Sequence, residues 1–387
     1  MTAAAYQGVV ITAPVSIPYV RYSAKEAHWF LARALAALLK TSGLAKDDLD
    51  GLGVSSFTLF PDTAVGLTQH LGLSPRWLDH LPFGGASGVI ALRRAARAVQ
   101  CGDANVVACV AGDTNHVDSF RQNLANFSRF ARDAVYPFGS GGPNASFALL
   151  TSHYMQSTGA QAEDFGKLCV AQRANALAFP SALFKKPLTL DEYLSARPIA
   201  DPLKLFDCVM PCAGSEGFLV MREDRAKSLG IPYARILATI ERHNAFPGDP
   251  IQFRGGWAMD QDRLYAQAGF GPPDIDLFEA YDDYPVINCL QLEGLGFCLE
   301  GEAPAFIRKH SFTVDGSLPF NTSGGQLSLG QAGAAGGFLG LVQALRQVTG
   351  QAKNTQVANA RHALVSGFGM INYDRGLCTG AAILGRA

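Results

Sequence analysis

The sequence predicts an α/β protein whose strands lie in a parallel sheet covered by helices on both faces, and three features carry that expectation. Strand-length apolar runs alternate with a helix of apolar spacing three and four, as in "GVVITAPV", "SAKEAHWFLARALAALLKTSGL" and "LDGLGVSS". The stretch "GGASGVIALRRAARAVQCGDANVVACVAG", Gly84 to Gly112, runs glycine turn, helix, polar link, strand, glycine. A second stretch, from "GGQLSLGQAGAAGGFLGLVQALRQVTG" at Gly324 to "HALVSGFG", repeats that order. Any α/β chain yields some such matches, but a duplication would set two helix N-termini near a shared centre.

The first helix is expected to open at Ser23, a good capping residue, and to stop near Gly43. "LDGLGVSS" is the next strand. From His116 to about Arg197 the rhythm breaks into "NFSRFARDAVYPFGSGGPNA" and "FPSALFKKPLTLDEY", rich in turn residues and aromatics. This reads as an insertion over the sheet, where a long ligand could lie. The rhythm resumes at "EGFLVMRE" and "DIDLFEAYDDYP". The expected division is residues 1–225, with the inserted loop region at about 116–200, and residues 226–387.

Composition narrows the function. With 387 residues, 48% of them hydrophobic, the chain can bury a large core in two lobes. A net charge of −1 with no long basic run argues against nucleic acid or a membrane surface as the main partner. The eight cysteines lack C-x-x-C spacing and look like reduced thiols of a cytoplasmic protein. With no basic leader before an apolar core and no apolar run of about 18 residues, neither a signal peptide nor a membrane span is expected, and no histidine spacing suggests a metal. A small-molecule or protein partner is expected.

The glycine-rich turn that opens the stretch Leu81 to Thr114 is expected to present backbone N–H groups and the positive end of a helix dipole, yet holds no obvious nucleophile. Here the chain resembles the thiolase superfamily, and within it the sterol-carrier-protein-x-type thiolases and acyl-CoA aldolases. The likeness covers nearly the whole chain and is densest in "AxxFPSAxF", "SARPIADPL", "FDC", "LEGLGFC" and "FNTSGG". It implies a thiolase fold: five layers, αβαβα, formed from duplicated halves and usually dimeric.

The resemblance also assigns residues. Where family members with Claisen activity carry Cys-x-Ser-Gly, this chain has Gly85, Ala86, Ser87 and Gly88, so Gly85 takes the place of the nucleophilic cysteine. A helix N-terminus lowers a thiol's pKa and the thiolate accepts an acyl group; glycine does neither. Ser87 reads better as a residue packing at the helix start than as a substitute nucleophile. Restoring cysteine at position 85 is expected to create a thiol open to alkylation.

The second family motif falls on Tyr281, Asp282, Asp283 and Tyr284, which puts Tyr281 where a side chain polarises the thioester oxygen; a tyrosine there resembles the aldolase branch. In the third, Gln331 replaces a histidine, and an amide donates a hydrogen bond but carries no proton. The fourth, Cys-x-Gly, is intact as Cys378, Thr379 and Gly380. The resemblance makes Cys378 the proton-transfer residue and gives the Gly380 N–H to an oxyanion hole, with Gly85 and Cys378 expected on the order of 10 Å apart around one substrate. His153 is expected to be an ordinary, partly exposed histidine.

Together these point to retro-aldol cleavage of a β-hydroxyacyl-CoA without a covalent acyl-enzyme, Tyr281 acting on the hydroxyl, Gln331 with the backbone at Gly85 and Gly380 holding the enolate, and Cys378 protonating it. The CoA thioester is substrate, and no bound cofactor or metal is expected. Two alternatives stand beside this: a non-catalytic acyl-CoA-binding subunit that supports a partner, and a thiolase or acetyl-CoA acyltransferase with an unrecognised nucleophile. Expected partners are acyl-CoA, a second copy of the chain and a small OB-fold, zinc-ribbon acyl-CoA-binding protein.

Overall fold

A computed structural model describes residues 5–59, 63–116, 132–139, 142–372 and 375–387. Its main strands are β1 (Val9–Val20), β2 (Gly51–Ser55), β3 (Trp77–His80), β4 (Val106–Asp113), β5 (Ala213–Arg222), β6 (Tyr233–His243), β7 (Leu277–Glu279), β8 (His362–Asn372) and β9 (Arg375–Arg386). Among the described residues they form one nine-stranded sheet in the order β3-β2-β4-β5-β1-β6-β9-β8-β7.

The sheet is mixed, which corrects the expectation of a parallel one. β2 runs parallel to β3 and β4, and β7 parallel to β8. Every pairing between these outer groups is antiparallel. The cause is connection length: β8 and β9 are joined by only two residues, too few for the crossover that parallel neighbours need.

The helices that position the site are α1 (Ala27–Ser42), α2 (Ala64–Leu71), α3 (Ser87–Cys101), α4 (Pro143–Thr158), α5 (Ala162–Leu177), α6 (Trp257–Ala268), α7 (Pro285–Gly294), α8 (Gly325–Leu329) and α9 (Gly336–Val348). α1 begins four residues after Ser23, whose hydroxyl instead accepts from the Lys25 N–H at 2.9 Å in the preceding turn. It stops where expected, with Gly43 in the left-handed region at φ 72°.

α1 packs on β1, β4 and β5, and α6 packs on β6 and β9. α3 and α9 lie between the two wings of the sheet and touch strands of both, which gives the order helix, sheet, helix, sheet, helix. Both central helices begin at a short glycine-rich 3-10 turn, Gly84–Ala86 and Gly333–Ala335. They meet backbone to backbone: a Cβ on Gly88 would lie 2.2 Å from the carbonyl oxygen of Gly337, so only glycine fits.

The insertion holds two long helices that its turn-rich composition conceals. The inward residues of α5 include Asp164, Gln172, Arg173 and Asn175, and α4 leaves Leu149 exposed, so the apolar period is blurred in both. Residues 117–131 of the insertion lie outside the described residues.

Candidate active site

The Gly84–Ala86 turn, the loop after β7, the loop after α8 and the inner edge of β8 surround one cavity of about 930 Å³, counting its open mouth. Gly85, Tyr281 and Gln331 all line it. Tyr281 follows β7, and Gln291 on α7 brackets its backbone, accepting from the Tyr281 N–H at 3.2 Å and donating to the Tyr281 carbonyl at 2.6 Å. Gln331 is held by the strand-like segment before β5, its N–H donating to the Met210 carbonyl at 2.9 Å and its carbonyl accepting from the Cys212 N–H at 2.9 Å.

These tethers aim the two side chains at each other. The Gln331 amide donates to the Tyr281 hydroxyl at 3.3 Å, and that hydroxyl donates to Asp283 Oδ2 at 3.3 Å. A Cβ built on Gly85 would lie 2.2 Å from Cε2 and Cζ of Tyr281 and 2.3 Å from the Phe368 carbonyl oxygen. The tyrosine ring therefore fills the space into which a cysteine at position 85 would project. This overturns the expectation that restoring cysteine there gives an open, reactive thiol.

Cys378 and Gly380 are not on the cavity wall. Cys378 pairs with Gly369 on one side and His243 on the other, and Gly369 is the one of these that lines the cavity, so Cys378 sits on the strand next to it. The thiol is 2% exposed, shares a core cluster with Val89, and is pushed up to about 12 by burial and then by the charge of Glu241. Burial thus keeps the Cys378 thiol protonated near neutral pH. Gly380 faces Val89, and its carbonyl accepts from the Trp257 indole at 2.9 Å. Ser87 closes its own turn, donating to the Leu81 carbonyl at 3.0 Å, and His153 stacks on Phe253 at 4.7 Å.

Three wall residues escaped the sequence reading: Asp113, Cys212 and Asp283. Asp113 accepts from the Ser56 hydroxyl, the Phe57 and Thr58 N–H groups, the Thr58 hydroxyl and the Ala334 N–H, at 2.6–2.9 Å, which ties the loop after β2 to the start of α9. Burial pushes the Cys212 thiol well up, which leaves it a poor nucleophile. Asp283 could have been noticed as the last acid of "EAYDDY", a run of three carboxylates inside apolar sequence.

Those carboxylates set a pH dependence. Burial raises Glu279 and Asp282 to about 8, and Asp283 and the distant Glu216 to about 7. Each keeps its proton in the folded chain over a range in which the unfolded chain has released it, so these groups favour folding below about pH 4 and lose that contribution as the pH rises to about 8. The urea midpoint is therefore expected to be higher near pH 5.5 than near pH 8.5; a midpoint that rises across that interval would contradict the assignment.

Residues 256–385 match a family model described as thiolase C-terminal domain-like. The steroid side-chain-cleaving aldolase of Thermomonospora curvata is 32% identical over 350 residues, which span 86% of this chain and 88% of that protein. The chain belongs to the thiolase superfamily, in its aldolase branch. As such it is a carbon–carbon lyase that cleaves an acyl-CoA in the retro-aldol sense. The chain is also similar to the 17-hydroxy-3-oxo-4-pregnene-20-carboxyl-CoA lyase of Mycobacterium tuberculosis, 30% identical over 354 residues spanning 87% of this chain and 89% of that one. Among solved structures, an Ltp2-ChsH2(DUF35) aldolase superposes with a TM-score of 0.84 at 27% identity over 98% of each chain. A monomeric SCP2-thiolase-like protein of Mycobacterium smegmatis, at 15% identity, shares the fold with a TM-score of 0.74 over 98% of this chain and 77% of that one. Among the described residues no helix is long and apolar enough to cross a membrane, and no group of three or more His, Cys, Asp or Glu is placed to hold a metal.

Proposed function

We propose that the substrate is a bulky β-hydroxyacyl-CoA, cleaved between its α-carbon and its hydroxyl-bearing β-carbon without a covalent acyl-enzyme. The observation that carries this is the Tyr281 phenol, standing over the Gly84–Ala86 platform in the space a Gly85 side chain would need, with Gln331 and Asp283 on its oxygen. A phenol there engages the substrate hydroxyl. Gln331 spends one amide N–H on Tyr281 and has a second for the thioester oxygen, beside the backbone at Gly85. As the β-hydroxyl loses its proton, the carbon–carbon bonding pair passes into a thioester enolate that these donors hold. This scheme draws its donors from the cavity wall and assigns no step to Cys378 or Gly380.

The convergence of Tyr281, Gln331 and Asp283 favours chemistry over a scaffold role, because an inert relative would fill the cavity with apolar side chains. Two relatives named for steroid substrates make a steroid-bearing thioester the first class to test. The solved aldolase whose title names a DUF35 component makes such a subunit the candidate heterologous partner. A second copy of the chain would cover β3, a half-buried strand at the end of the sheet. The eight unpaired cysteines suit a reducing cytoplasm.

The test is to incubate the chain, alone and with a DUF35-type subunit, with 17-hydroxy-3-oxo-4-pregnene-20-carboxyl-CoA and to identify products by mass spectrometry. The expected products are the 17-ketosteroid and propionyl-CoA, with the intact protein mass unchanged. A stable acyl adduct on the protein, or the absence of both products from both mixtures, overturns the proposal.

A further inference from the structure

We propose that Asp283 is the proton acceptor behind Tyr281, storing the substrate's hydroxyl proton while the carbon–carbon bond breaks and supplying it to the enolate afterwards. This rests on the retro-aldol reading of Tyr281 and goes beyond it by naming where the proton goes. Asp283 lines the cavity, and its Oδ2 accepts from the Tyr281 hydroxyl at 3.3 Å. Its Oδ1 is buried with no hydrogen-bond partner on any other described residue.

The neighbouring acids are committed elsewhere. Asp282 accepts from the Gln172 amide at 2.8 Å and from the Gln326 N–H at 2.9 Å, which fastens it to α5 and α8. Asp113, across the cavity, is saturated by its five donors. The titratable groups that bear on Asp283 are Tyr281, Asp282 and Tyr284 in its own segment and Cys208 in the segment before β5, with Asp113 and Cys212 on the shared wall. Among the described residues none is a cation that would lock Asp283 in its ionised form, and burial raises it to about 7.

Tyr281 alone is a poor base, because burial and then the Asp283 charge hold its phenol well above its ordinary pKa. As a relay it needs no stable phenolate. The substrate O–H passes its proton to the Tyr281 oxygen while the Tyr281 proton moves to Asp283 Oδ2. The O–H bonding pair becomes the new carbonyl bond, and the broken carbon–carbon pair becomes the enolate. Tyr281 then gives a proton to the enolate carbon and recovers one from Asp283. The enzyme ends as it began, and no co-reactant is consumed.

Asp283→Asn keeps the size and an acceptor for Tyr281 but cannot store a proton. With the full chain, its partner subunit and 17-hydroxy-3-oxo-4-pregnene-20-carboxyl-CoA, kcat is expected to fall at least about 100-fold with KM within about threefold of wild type. Wild-type kcat is expected to rise with pH through about 7, as Asp283 ionises. The residual rate of the variant loses that limb, and Asp283→Glu restores part of both. Asp283→Asn turning over within about threefold of wild type with the limb intact overturns the inference and leaves the retro-aldol reading standing. If wild type fails to cleave the probe, that reading falls instead, and Asp283 is judged by infrared difference spectra between about pH 5.5 and 8.5. A carboxylic acid band that is lost on ionisation, absent in Asp283→Asn, and coupled to a tyrosine ring shift absent in Tyr281→Phe supports the relay. No such coupled band overturns it.

Discussion

Gly85→Ala is expected to destabilise the protein by about 2–3 kcal/mol and to lower retro-aldol turnover by more than about 100-fold, from a single added methyl. The new Cβ would sit 2.2 Å from two ring carbons of Tyr281 and 2.3 Å from the Phe368 carbonyl oxygen. The carbonyl belongs to β8, where Phe368 pairs with Thr379, so it gives way only by disturbing the β8–β9 ladder. The ring is the softer neighbour, and moving it takes the hydroxyl away from Gln331 and Asp283. Gly85→Cys is expected to behave at least as badly, its thiol reacting slowly with alkylating agents because it has no room at the helix start. Urea unfolding and steady-state turnover of the two variants check this; wild-type values for Gly85→Ala would show that the ring does not need that space.

Tyr281→Phe separates chemistry from packing. It removes one oxygen, and the hydrogen bonds lost are long, at 3.3 Å each, so stability is expected to change by less than about 1 kcal/mol. The ring stays, bracketed through its backbone by Gln291. Turnover is expected to fall by about three orders of magnitude, within the range for a missing proton-transfer group, while KM changes little. Full turnover in Tyr281→Phe would remove the phenol from the mechanism altogether.

Much of this site is legible in the sequence because glycine and tyrosine at motif positions say what has been lost and gained. Gly85, Tyr281 and Gln331 lie far apart along the chain and line one cavity. The repeated pattern of glycine turn, helix and strand correctly marks α3 with β4 and α9 with β8. What it hides is depth. An intact Cys378-Thr379-Gly380 motif reads the same whether its thiol lines the cavity or sits on the strand beside the wall residue Gly369, as it does here. The mixed sheet is hidden because strand direction depends on connections that composition does not encode, and α5 is hidden because buried Gln172, Arg173 and Asn175 spoil its apolar period. Asp283 was passed over because two adjacent acids look alike until one is seen tied to α5 and α8 and the other left open to the cavity.

The contact between Gly85 and Tyr281 also ties the two positions together sterically. Cysteine at 85 and tyrosine at 281 exclude each other, since even a Cβ at 85 would fall 2.2 Å from the ring. A lineage that gained the tyrosine while keeping the cysteine would carry a clash, whereas one that first lost the cysteine to glycine would carry only a gap, which a folded protein tolerates far better. Positions 85 and 281 therefore form one steric unit, and a change at either is read only together with the other.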